Sequence, residues 1–153
     1  MARMHARRSG KSGSVHPPIK VSPKWVEVSG KEIEKIIMDL AKQDKSMSEI
    51  GIILRDQYGV PSVKTVLGKS VKQILSENKL LGEYPEDLMN LMRKAVRLRR
   101  HLSQNTKDVH NSHALNNVEA KIKRLVRYYR ATGVLPDKWV YKPEQAALIV
   151  KEV

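Results

Sequence analysis

The chain has 153 residues, of which 29 are Lys or Arg and 16 are Asp or Glu, giving a formal net charge of +13 and a pI near 10. Apolar residues reach 41% but aromatics only 5%, with no Phe, so a modest core must come from Ile, Leu, Val, Met and Ala. The absence of Cys excludes disulfides and thiolate metal sites and fits a cytoplasmic setting. No run approaches the roughly 18–20 apolar residues that cross a bilayer. Anchoring at a membrane surface would need a strongly apolar basic helix or a lipid signal, so no membrane partner is expected. A cation surplus of this size points instead to a polyanion.

Residues 1–28 read as a flexible basic arm. Over residues 1–24 there are six basic side chains and no acidic one. "MARMHARRSGKSGSVHPP" lacks the apolar run of a signal peptide. Its Arg content resembles an organelle transit sequence, but Gly10, Gly13, Pro17 and Pro18 oppose the amphipathic helix such a sequence needs. A segment this poor in apolar residues orders only when a partner neutralises it.

Residues 29–80 read as a small helical unit. Ser29 with Glu32 and Ser46 with Glu49 have the spacing of capping boxes. Behind them, Ile33, Ile36, Ile37 and Leu40 share one helical face, as do Ile50, Ile53, Leu54 and Tyr58. Gly59-Val60-Pro61 stops the second helix. "PSVKTVLGKSVKQILSEN" is interrupted at Gly68, which allows two short helices or one bent one. Residues 31–90 carry nine basic and ten acidic side chains, so this region is nearly neutral. Its helix–GVP–helix order raises a DNA-binding helix-turn-helix over residues 46–67 as an alternative. The reading helix would offer only Ser62, Lys64, Thr65 and Lys69 to a groove.

Residues 81–133 read as a long basic αα-hairpin. Pro85 with Glu86 and Asp87 suits a helix start. Leu88, Leu91, Met92, Ala95, Leu98 and Leu102 then form a core stripe, with Arg93, Arg97 and Arg100 on another face. A second helix over about 112–131 carries Leu115, Val118, Ile122, Leu125 and Tyr129 at alternating three- and four-residue spacing. Lys121, Arg124 and Tyr128 lie on a separate face, and Lys123, Arg127 and Arg130 line the other flank. Gly133 and Pro136 end the helix. Residues 91–130 hold eleven basic side chains against Asp108 and Glu119 alone. Like charges at such spacings repel, and phosphates relieve that repulsion while releasing counterions. Tyr128 adds a flat face and a hydroxyl within the basic stripe. Residues 134–153 read as an extended C-terminal tail, with "KPEQAALIVKEV" left open as either a docked helix or a loose end.

The turn "HLSQNTKDVHNSH" gathers three histidines around one aspartate. A zinc site would need three or four converging ligands, and His101 lies nine residues before His110, with no Cys available. A nucleophile relay would need a Gly-rich or oxyanion-type loop beside Ser103 or Ser112, and none is present. Neither catalysis nor a cofactor or metal is therefore expected. Asp108, Asn111 or Ser112 could each cap the second helix. Short donors and acceptors on a tight turn also suit the shallow minor groove of A-form RNA.

These residues carry a family resemblance. "HLSQNTKDVHNSHALNNVEAKIKRLVRYY" resembles the core of the universal small-subunit ribosomal protein family S-fifteen. "MARMHA", "SEIGIILRDQYGVP" and "YRATGVLPDKWVY" resemble its archaeal and eukaryotic branch, whose eukaryotic member is called S-thirteen. The resemblance spans essentially the whole chain. It implies a structural protein of the 30S subunit, bound to the central domain of 16S rRNA among other 30S proteins. A large-subunit contact at the intersubunit face is implied too, and no small-molecule substrate. His101 and Asp108 match a His and an Asp that meet a shallow groove at a G–U/G–C step. The bacterial pattern has a Ser where this chain has Asn111, with Ser112 beside it, so either position could carry that contact. Arg124 and Tyr128 match an Arg and a Tyr at a three-way RNA junction. The expected RNA-binding set is thus His101, Asp108, Asn111, Ser112, Lys107, Arg97, Arg100, Lys121, Arg124, Arg127 and Tyr128. The expected fold is all-α: a small helical unit, then a long basic hairpin, with extended arms at both ends.

Overall fold

A computed structural model of the chain describes residue 13 and residues 21–151. Most of the expected basic arm, residues 1–28, lies outside them. Among the described residues there are seven α-helices and no strand, so the fold is all-α as expected. The helices are α1 Gly30–Lys42, α2 Met47–Tyr58, α3 Val63–Leu67, α4 Val71–Glu77, α5 Glu86–Gln104, α6 Val109–Ala131 and α7 Pro143–Lys151. They form two compact units, one ending at Glu83 and one beginning at Tyr84.

In the first unit both expected capping boxes form. The Ser29 amide donates to Glu32 Oε2 at 2.9 Å and the Glu32 amide returns to Ser29 Oγ at 3.4 Å. At α2 the Ser46 amide donates to Glu49 Oε2 at 3.0 Å, and the Glu49 amide donates to Ser46 Oγ at 3.2 Å. A third box, Ser70 with Gln73, opens α4. Gly68 takes φ +72° and closes α3, so the interrupted stretch is two short helices rather than one bent helix. Ile33, Ile37, Ile50, Leu54, Val60, Val63, Ile74 and Leu75 make the core. Tyr58, expected inward, is exposed, because Gly59 at φ +67° turns the chain and delivers Val60 to the core instead. Removing one cap should have a local effect. Ser46→Ala is expected to cost about 1 kcal/mol in chemical denaturation, with binding to RNA unchanged.

In the second unit α5 and α6 pack as the expected hairpin. Leu88, Met92 and Ala95 are buried against Val118, Ile122 and Leu125, with Leu91, Leu98, Leu115 and Tyr129 at the edges. Met89, Val126, Leu135 and Ala146 complete the core. The C-terminal tail is not extended throughout: Pro143–Lys151 is a helix. Ala146, Ile149 and Val150 fall at i, i+3 and i+4, one apolar stripe, and this stripe packs on the hairpin core.

Two polar ties span the hairpin. The Tyr129 hydroxyl, near the end of α6, reaches both Asp87 carboxylate oxygens in the first turn of α5, at 2.8 and 2.7 Å. Desolvation first, and the neighbouring Asp87 carboxylate second, push the Tyr129 phenol well above its ordinary range. Farther along, Arg99 Nε donates to Glu119 Oε1 at 3.1 Å, with a second bond from Nη2. Tyr129→Phe keeps the ring packing and removes only the first tie. The expected loss is about 1 kcal/mol, read as a shift in denaturant midpoint without a change in slope.

Candidate nucleic-acid interface

The turn between α5 and α6 is organised by one carboxylate. Asp108 is the N-cap of α6, its Oδ1 accepting from the Asn111 amide at 2.9 Å. Its Oδ2 accepts from the Asn111 side-chain amide at 2.7 Å and lies 2.9 Å from His101 Nε2. His101 comes from the last turn of α5, so the carboxylate joins the two helix ends. On the other side of the imidazole, Asn105 Nδ2 stands 3.3 Å from His101 Nδ1 and 3.1 Å from the His101 carbonyl. The tautomer with hydrogen on Nε2 satisfies all of these partners: Nε2–H donates to Asp108 and Nδ1 accepts from Asn105. The Asn111 amide first, then His101 and the Asn111 side chain, hold the Asp108 carboxyl far below the usual carboxylate range. It is therefore an anion under any physiological condition, with both oxygens directed by fixed donors.

Of the residues expected at this turn, the structure brings His101, Asp108 and Asn111 together. Ser112 is not part of the cluster. Its amide donates to the Asp108 carbonyl at 3.1 Å in the first helical turn, and its side chain faces outward. Asn105 was not foreseen; its only sequence signal is a polar residue four positions after a histidine at a helix end. Lys107 is exposed beside the network. Among the described residues no three metal-ligating side chains converge.

The cations divide between faces. Arg97 and Arg100 are exposed on α5, away from the buried Leu88–Met92–Ala95 stripe. Arg99 falls near that stripe, which is why it turns to Glu119 instead. On α6, Lys121, Arg124 and Tyr128 recur at three and four residues and so share one flank. Lys121 and Tyr128 are half-buried, and Arg124 is exposed. Tyr128 packs its ring against Tyr129 at 5.3 Å between centroids, which fixes its orientation. Arg127 lies farther round the helix, toward Lys123 and Arg130. Both acids of residues 91–130 are engaged, Glu119 by Arg99 and Asp108 by His101.

The helix-turn-helix alternative fails on length. α3, its reading helix, has five residues, about 7.5 Å of axis, too short to lay several side chains along a groove.

A long helical hairpin, cationic on its outer faces and capped by a rigid polar turn, defines a basic all-α protein of the polyanion-binding class. Residues 1–60 match the family model described as Ribosomal S13/S15 N-terminal domain, and residues 69–149 match Ribosomal protein S15. The chain is 55% identical over 150 residues to the small ribosomal subunit protein uS15 of Methanoregula boonei, covering 98% of this chain and 99% of that one. It is 49% identical to the uS15 of Methanocella arvoryzae and 51% identical to that of Methanoculleus marisnigri, with the same coverage. The chain belongs to the ribosomal protein S15 family.

Proposed function

We propose that the chain is a structural constituent of the small ribosomal subunit that binds and organises rRNA. Its site is a helix junction in the central domain of 16S rRNA. The observation that carries this reading is the charge of residues 91–130: eleven cations against two carboxylates that are already engaged within the protein. Phosphates supply the missing anions. Two kinds of contact divide the work. Lys121, Arg124 and Tyr128, with Arg97, Arg100 and Arg127 on neighbouring faces, neutralise backbone and present a flat ring at the junction. The His101–Asp108–Asn111 turn, flanked by Lys107 and Ser112, reads a shallow groove through positioned donors and acceptors.

The protein does this by holding RNA in place and without catalysis, alongside other 30S proteins, with a large-subunit contact where its surface meets the intersubunit face. Affinity-tagged chain expressed in an archaeal host should co-sediment with 30S particles at physiological salt. Recovery only at the top of the gradient would reject the reading.

A further inference from the structure

The opposite flank of α6 forms a second, separate feature. An open groove of about 540 Å³ runs between α6 and the segment that follows it. One wall carries Lys123, Arg127 and Arg130; the other carries Asp137, Trp139 and Tyr141. The three cations recur at spacings of four and three, so they form a row along the groove. Tyr84 braces the Trp139 indole, with ring centroids 6.3 Å apart, so the ring is held rather than swinging. The Tyr141 hydroxyl is buried beside Arg99 and Glu119. A row of cations facing braced aromatic rings is the arrangement that binds single strands, where backbone runs along the charges and bases stack on the rings. Asp137 is the one carboxylate among the groove's lining residues.

We infer that this groove is a second RNA site, one that takes an unpaired segment of RNA while the Lys121–Arg124–Tyr128 flank holds paired RNA. α6 then lies between two RNA elements and ties them together. The inference rests on the reading of the chain as an rRNA-binding protein, but it assigns a face that shares only Arg127 with that reading and a different form of RNA. A peptide rich in Glu would meet the same cations, but it would gain nothing from the flat indole, so RNA is the better match.

The test uses the full chain with Trp25→Phe, which leaves Trp139 as the sole indole. Titration with an unstructured mixed-sequence RNA oligonucleotide should quench Trp139 fluorescence. Binding should weaken with salt. Lys123→Glu with Arg130→Glu, both exposed, should abolish the quench and lower the slope of log affinity against log salt by about 1.4, two single-strand phosphate contacts. The same double variant should still bind a junction fragment of small-subunit rRNA. Asp137→Asn should tighten oligonucleotide binding about threefold, since it removes the opposing charge. Absence of quenching, or equal quenching by a poly-Glu peptide, would overturn the inference. So would parallel loss of junction binding in the double variant, because the two flanks would then be one surface. Failure of the wild-type chain to bind the junction fragment would count against the proposed function instead, and the oligonucleotide result would still decide the groove.

Discussion

Removing two cations from the first flank of α6, as Lys121→Ala with Arg124→Ala, is expected to weaken binding to a small-subunit rRNA junction fragment roughly 30-fold near 0.15 M salt. The magnitude follows from counterion release, since each phosphate contact with duplex RNA adds about 0.9 to the salt slope. The double variant should therefore also flatten that slope by about 1.8. Both effects should appear across unrelated junction sequences, because phosphate contacts position the protein without reading bases. The fold should survive. Arg124 is exposed, and the core beneath it is formed by Ile122, Leu125 and Val126. Tyr128→Phe in the same assay separates the ring from its hydroxyl: stacking is retained and only a sugar or base-edge contact is lost. Unchanged affinity with an unchanged slope in the double variant would remove this face from the interface.

The hairpin was legible because its signals are redundant. A three- and four-residue apolar repeat in both helices, a proline with two acids at one start, and an unbalanced run of cations all require the same packing. Both capping boxes form for the same reason, since each needs only two residues three apart. The misses share a physical cause. Tyr58 continued the α2 stripe on periodicity, but Gly59 takes a left-handed conformation and gives the place to Val60. α7 was undecided from the sequence because its apolar stripe is only Ala146, Ile149 and Val150, too short to form a stable helix without the hairpin core beneath it. The cationic flanks could be placed from helical phase alone. The groove on the far flank could not, because its second wall, Asp137 to Tyr141, comes from an irregular segment with no period. The turn was half legible. Its residue types named the participants, but the choice among Asp108, Asn111 and Ser112 as the cap depended on which side chain could reach His101 across the turn.

That double use of Asp108 permits a sharp separation of roles. Asp108→Ser keeps a side-chain oxygen at the N-cap, where Ser ranks with Asp, so α6 should still form, and only the stability that the depressed Asp108 carboxyl contributes at neutral pH should be lost. It removes the anion that holds His101 Nε2 and the Asn111 side chain. The imidazole then loses its fixed direction, and discrimination between an RNA groove carrying the G–U step and one with the step replaced should fall about tenfold, the scale of one charge-assisted hydrogen bond. Asp108→Ala loses the cap as well, so it should lower both thermal stability and discrimination. His101→Gln should reproduce the loss of discrimination with the cap intact. If Asp108→Ser discriminates as the wild type does, the turn's role ends with capping the helix. Equal weakening on random duplex would say the same. The pH dependence has a definite sign. A carboxyl whose folded value is depressed contributes stability above its unfolded value and surrenders it only as pH falls through the folded one. Because Asp108 lies far below the ordinary range, the wild-type turn should stay intact through mildly acidic conditions. Asp108→Ser should abolish this proton's share of the acid sensitivity, so its stability-versus-pH curve should run flatter than the wild type's on the acidic side.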